Sequence, residues 1–261
     1  MTVKILVLGD VVGETGTNYI CRPGFLGGIK KEYGIDLIIA NGENSAKGNG
    51  LSPESANTMF DAGVDVITGG NHTWQKSSVY TMLDDDARLV RPANFPGAAP
   101  GHGSTVIDVK GCRVLVFNLS GNAFMLEPVA SCYEWADKIL ESEAGNFDIS
   151  VLDFHAETTS EKIAMGWYLD GRVSAVYGTH THVQTADARV LPKGTGYVTD
   201  VGMCGSMNGV LGIKTECILH KFIIHTPVRF EEAKGDEAFH GAVFEIDAAS
   251  GKCLSVETVI R

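Results

Sequence analysis

The sequence has no apolar run long enough to cross a membrane, no block of basic residues and no Cys-x-x-Cys pair. The first absence argues against a membrane span or an export signal, because the opening apolar stretch is short and runs straight into Asp10. The second argues against a broad surface for duplex nucleic acid: 21 Lys and Arg are set against 32 Asp and Glu, for a formal net charge of −11. The six cysteines, Cys21, Cys112, Cys132, Cys204, Cys217 and Cys253, are scattered singly, which suits reduced thiols in a cytoplasm rather than a disulfide framework. Internal repeats, low-complexity tracts and linkers are also missing. With 44% hydrophobic and 20% charged residues the composition is that of a globular protein, and the expectation is one domain over residues 1–261, cytoplasmic, its oligomeric state open to include a homo-oligomer.

What is present is alternation. Residues 5–8, 37–40, 64–68, 114–117, 149–152 and 173–176 are short apolar runs rich in β-branched residues, the signature of strands buried on both faces. Helices with recognisable starts fall between them. Ser52-Pro53 offers an N-cap and a first-turn proline, and Ser131-Cys-Tyr-Glu134 and Thr158-Thr-Ser-Glu161 have capping-box spacing. This β-then-α order predicts an α/β fold. Residues 91–103, with three prolines and three glycines, predict a long loop. Beyond Gly212 the apolar runs at residues 217–225, 242–246 and 254–260 predict strands of a second sheet or an added edge hairpin.

Five of the apolar runs lead into residues that bind metals: Gly9-Asp10, Asn41-Gly42-Glu43-Asn44, Gly70-Asn71-His72, Asp153-Phe154-His155 and Gly178-Thr179-His180-Thr181-His182. Parallel strands present their C-terminal ends along one rim of a sheet, so five such ends can build one site. Each residue has a bland alternative. Asp10 could cap a helix, Asn44 and Asn71 could be turn residues, and a lone histidine is more often structural than a ligand. The joint pattern reverses that weighting. Asp10, Glu43, Asn44, Asn71, His155, His180 and His182 supply oxygen and imidazole donors enough for two first-row ions, and a carboxylate such as Glu43 can bridge ions roughly 3.5–4 Å apart. His180 and His182 would share a face on an extended strand but can diverge in a turn. His72, adjacent to Asn71, is the candidate proton donor. Arg91 and Phe95 in the long loop could meet a phosphate and a base, although solvated loop residues are the preferred reading; Asp84–Asp86 reads as a solvated acidic cluster, and Lys47 lacks a Walker context.

In order and spacing, Gly-Asp-Val-Val-Gly13, Asn-Gly-Glu-Asn44, Gly-Gly-Asn-His72, Asp-Phe-His-Ala-Glu157 and Gly-Thr-His-Thr-His182 resemble the calcineurin-like metallophosphoesterase superfamily, and within it the YmdB-like branch of cyclic-nucleotide phosphodiesterases. The resemblance implies a four-layer α/β/β/α sandwich and two metal ions, iron foremost, with manganese, magnesium or zinc as alternatives. It assigns Asp10, Glu43, Asn44 and His182 to the first ion and Glu43, Asn71, His155 and His180 to the second. The superfamily's usual histidine two residues after the first aspartate is Val12 here, and the resemblance gives its place to Asn44. The function implied is hydrolysis of a small phosphodiester, 2′,3′-cyclic nucleotides favoured, by in-line attack of a hydroxide held between the ions, with His72 as acid. A metal-dependent phosphomonoesterase or nucleotidase, and a regulator that binds without turnover, are the alternatives.

Overall fold

Along the first strand, Val3, Ile5 and Val7 alternate with Leu6 and Leu8, and both sets are fully buried. A strand apolar on both faces must be covered on both. The computed structural model, which describes residues 1–261, does this by stacking two sheets face to face and covering each outer face with helices.

The first sheet begins with β1 (Thr2–Val11), β2 (Leu37–Asn41), β3 (Val66–Thr68) and β4 (Leu89–Val90), which lie side by side and parallel. The second comprises β5 (Ser104–Val109), β6 (Cys112–Ser120), β7 (Ile149–His155), β8 (Ala175–Thr179), β9 (Arg189–Val190) and β10 (Gly196–Val198), in the order β5-β6-β7-β8-β10-β9 with the central four parallel. The chain then returns to the first sheet as β11 (Met203–Ser206), β12 (Glu237–Ala238), β13 (His240–Asp247) and β14 (Cys253–Ile260). One edge of β1 is shared: β13 runs antiparallel to Thr2–Leu8, and β11 pairs in parallel with Asp10 and Val11.

Between the sheets, Val3, Ile5, Val7, Leu37, Ile39 and Val66 meet Val114, Val116, Ile149, Val151 and Ala175. On the outside of the first sheet, Leu6, Leu8 and Ile38 pack against α1 (Gly13–Ile20), α2 (Phe25–Tyr33) and α3 (Pro53–Asp61). The short α4 (Tyr80–Asp85) adds Leu83 to that layer, while α5 (Cys132–Ser142) and α6 (Thr159–Leu169) cover Leu115, Phe117, Leu152 and Phe154 of the second sheet. The result is the α/β/β/α sandwich, and the expected caps are formed: the Ser52, Ser131 and Thr158 hydroxyls accept from the backbone N–H three residues on.

One expectation is overturned. Residues 217–225, read as a strand, instead form the helix α7 (Thr215–Ile224) and its C-terminal cap. A short apolar run cannot be told from a strand by periodicity. No sheet edge receives this one: only Cys217 is buried, while Phe222 and Ile223 are each 69% exposed. Glu216 in the first turn and Lys221 in the last complement the helix dipole, and His225 in the left-handed region closes it. The two remaining runs form the β13–β14 hairpin, which extends the first sheet. None of the helices is long and apolar enough to cross a membrane.

Candidate metal centre

Above the apolar layer between the sheets lies a polar one, built by the same alternation carried one step further. On β7, Val151 is followed two residues on by Asp153 and then by His155; on β2, Ile39 by Asn41; on β3, Val66 by Thr68; on β8, Tyr177 by Thr179. Residues two apart in a strand share a face, so each inner face turns from hydrocarbon to hydrogen-bonding groups at its C-terminal end. The Asp153 carboxylate joins the sheets there, accepting from Asn41 Nδ2 at 3.0 Å, Thr68 Oγ1 at 2.5 Å and Thr179 Oγ1 at 2.7 Å.

All the candidate ligands assemble on this floor. A register shift in β1 between Leu8 and Asp10 sets Asp10 opposite Asn41. Asn41 Oδ1 accepts from the Glu43 backbone N–H, fixing the turn after β2. The turn after β3 supplies Asn71 and His72, β7 supplies His155, and the turn after β8 supplies His180 and His182. His180 and His182 have φ of 91° and 62°, left-handed values uncommon for non-glycine residues. That conformation makes their rings diverge. A buried ion pair holds it, since Lys162 Nζ lies 2.7 Å from Asp200 Oδ2 and the same oxygen accepts from Thr181 Oγ1 at 2.6 Å.

Two groups of donors result, with Glu43 in both. In one, His155 Nε2 lies 3.0 Å from Asn71 Oδ1, 3.1 Å from His180 Nδ1 and 3.4 Å from Glu43 Oε1. In the other, His182 Nε2 lies 3.5 Å from Asp10 Oδ1 and 3.5 Å from Asn44 Nδ2, which donates to Glu43 Oε1 at 2.9 Å. Asn44 Oδ1 faces His72 Nδ1 at 2.9 Å, so ligation through oxygen requires the amide turned end for end, which would set that oxygen against Glu43 Oε1 across a shared cation and let Nδ2 donate to His72 Nδ1. The His72 backbone N–H donates to Glu43 Oε2 at 2.8 Å, its ring Nδ1 lies 3.3 Å from Glu43 Oε1, and the ring sits at the rim, partly exposed.

The donor set fits metal ions on three counts. Asp10 Oδ1 is buried with no hydrogen-bond partner, a costly state for a carboxylate oxygen unless a cation meets it. The donor atoms of Glu43, His155 and His180 all lie within 4.8 Å of one another. A Cβ on Gly70 would collide with Glu43 Oε2 and His155 Nε2, so glycine keeps the space beside them open. Electrostatics agree: Asp10, Glu43 and Asp153 are fully buried with no Lys or Arg partner. Burial opposes charge on His155, yet the surrounding carboxylates of Glu43, Asp10 and Asp153 lift its pKa to about 9. Burial and repulsion from His155 push His180 down to about 4, while the hydrogen bond with Glu43 raises His72.

The long loop behaves differently from its candidate role. Arg91 is buried, neither solvated nor free for phosphate, because its guanidinium donates to the carbonyls of Gly101, Pro92 and Ala93. Phe95 lies against Trp74, ring centroids 4.6 Å apart. Asp84 is likewise more than a solvated acid, since its Oδ1 accepts from Gly101 N at 2.7 Å and anchors the loop. Lys47 is exposed beside Glu14. Sequence reading gave no role to Asp153, Thr179, Glu157, Lys162 or Asp200. For Asp153 and Glu157 the signal was available in their spacing of two on either side of His155; for Lys162 there was none, and for Asp200 only the glycine-containing run of residues 199–206, which reads as a loop near the site or equally as a plain turn and in which Met203–Ser206 form β11.

The chain matches the family model described as "YmdB-like protein" over residues 6–259. It is 44% identical, over 98% of its length and 96% of the other, to a Bacillus subtilis (strain 168) protein named 2′,3′-cyclic-nucleotide 2′-phosphodiesterase. Among solved structures it is similar to a novel phosphatase from Mycoplasma pneumoniae, with a TM-score of 0.94 and 34% identity over 100% of this chain and 94% of that one. It is also similar to a hypothetical protein from Thermus thermophilus, with a TM-score of 0.92 and 39% identity over 99% of both chains. Sequence match and shared architecture agree over essentially the whole chain, which belongs to the YmdB-like family.

Proposed function

We propose that the protein is a binuclear-metal phosphodiesterase that hydrolyses cyclic nucleotides, 2′,3′-cyclic monophosphates foremost. The observation that carries this reading is the pair of donor groups sharing Glu43, with His72 beside them at the rim. Asp10, Glu43, Asn44 and His182 would hold one ion and Glu43, Asn71, His155 and His180 the other, with iron the foremost candidate and manganese, magnesium or zinc as alternatives. Bound there, two cations acidify water, orient the phosphate and neutralise charge developing on its oxygens.

The remaining work falls to the chain. With the Asn44 amide turned to ligate through oxygen, its Nδ2 would donate to His72 Nδ1, which places the ring proton on Nε2 to meet the departing ribose oxygen. That proton would pass from Nε2 to the alkoxide as the P–O bond breaks. A cleft of about 610 Å³ opens beside Val12 and Gly13, where Arg229 and Phe230 offer a cation and an aromatic ring to a nucleoside. The homologous protein named as a 2′,3′-cyclic-nucleotide phosphodiesterase supports the substrate class. Six free cysteines suit a reducing cytoplasm.

The test is hydrolysis of 2′,3′-cyclic AMP, a chromogenic phosphodiester and its matched monoester by protein of verified metal content. Diester hydrolysis is expected, with His72→Ala lowering kcat about 10²–10⁴-fold at unchanged metal stoichiometry. Preference for the monoester would move the assignment to a phosphatase, and metal-loaded protein that cleaves none of the three would overturn catalysis.

A further inference from the structure

A histidine ligand is defined by which ring nitrogen faces the ion, and that is set by what holds the other. His155 turns Nε2 toward Glu43, Asn71 and His180, and its Nδ1 lies 2.9 Å from Thr179 Oγ1. The same hydroxyl donates to Asp153 Oδ1 at 2.7 Å. A hydroxyl has one proton; giving it to the carboxylate leaves Thr179 Oγ1 to accept from His155 Nδ1–H. His180 is arranged the other way round. Its Nδ1 faces His155, and its Nε2 lies 3.0 Å from Glu157 Oε2. Each ring therefore has a carboxylate behind it, reached directly by His180 and through one hydroxyl by His155.

Asp153 and His155 occupy alternate positions at the end of β7, and Glu157 lies two residues beyond it. We infer that Asp153, acting through Thr179, and Glu157 are positioning residues that select Nε2 of His155 and Nδ1 of His180 as the ligating atoms of the second ion. The inference rests on the two-ion reading above. Asp153 is held as an acceptor by three donors from both sheets, Asn41, Thr68 and Thr179, so the orientation of His155 is tied to the joint between the sheets. Glu157 is half exposed and acts on His180 alone.

The experiment is a stepwise zinc titration followed by calorimetry, on the full chain and on Thr179→Val, Thr179→Ser, Glu157→Ala and Glu157→Gln. Asp153 is left in place because its removal would strand buried donors from both sheets. The expected result is that Thr179→Val and Glu157→Ala weaken one of the two zinc equivalents about 10–100-fold and spare the other. Serine at 179 and glutamine at 157 keep an acceptor and should restore it. A purely structural role would instead lower the melting temperature of the metal-free chain and leave the stepwise affinities alone. Folded Thr179→Val and Glu157→Ala proteins with both affinities unchanged overturn the inference. If the parent chain itself takes up fewer than two zinc ions, the two-ion reading falls. Nitrogen-15 spectra of the metal-free chain, recorded at a pH where both imidazole rings are observed to be neutral, then decide the positioning claim separately. A proton on Nδ1 of His155 and Nε2 of His180, redistributed in the Val and Ala variants, supports it; tautomers identical in parent and variants overturn it.

Discussion

Glu43 is the residue on which the centre turns. Its Oε1 is within reach of Asn44 and His155 and its Oε2 accepts from the His72 backbone, so one fully buried side chain touches both donor groups and His72. His155 beside it gives the centre a pH dependence. Its pKa is raised from 6.5 to about 9, so in the metal-free chain its stabilising contribution is complete below 6.5 and is lost as pH rises through 9. A cation must displace that proton. Metal affinity should therefore climb with pH over the same interval, about tenfold per unit for one proton, and level off above it; a competition titration at several pH values that gave a flat or falling profile would contradict this. Asn44 provides a second residue-level prediction. Because Val12 offers no donor, Asn44→Ala should weaken one metal equivalent about 10–100-fold and spare the other, as read by stoichiometry under increasing chelator. The candidate ligands were legible in the sequence because each follows an apolar run. The residues behind them were not: Thr179 and Asp153 look like ordinary strand residues until the two sheets face each other.

At the level of elements, the centre is a set of strand ends and the turns that follow them. The His180–His182 turn is the most constrained, with two left-handed residues held by Thr181, Asp200 and Lys162. Removing one partner of a buried ion pair costs about 3–5 kcal/mol. Lys162→Met should show that loss in chemical denaturation, whereas a change of under about 1 kcal/mol would mean that the pair does not hold the turn. The turn after β3 is constrained by space. Gly70→Ala directs a methyl group at Glu43 and His155, so it should abolish metal uptake while leaving the circular dichroism of the folded chain unchanged. The strand and cap signals at Ser52, Ser131 and Thr158 were readable because they are local. The misreading at α7 came from treating an apolar run as buried. Its ring and branched side chains point outward, and nothing in residues 215–224 records that.

At the scale of the whole molecule, stability resides in three buried layers and not in α7. Ile39→Ala opens a cavity between the sheets and should cost about 2–5 kcal/mol, while Phe222→Lys on the exposed helix should change stability by less than about 0.5 kcal/mol, both read from denaturant midpoints. The order of strands and helices, and hence the α/β class, could be read from periodicity. The terminal hairpin was readable as an addition to a sheet edge, but the pairing of β11 and β13 with β1 was not, because partners far apart in sequence leave no local mark. That division of the chain between sheets has a consequence for its synthesis. Every carboxylate and amide donor, Asp10, Glu43, Asn44 and Asn71, lies in the first part of the chain, and every imidazole donor, His155, His180 and His182, in the later part. A nascent chain that has emerged only as far as β4 carries the oxygen donors without those imidazoles, and a fragment starting at β5 carries the imidazoles without those oxygens. Neither piece can assemble a mixed-donor centre alone, so a metal held by both kinds of donor would bind only after the two sheets have met.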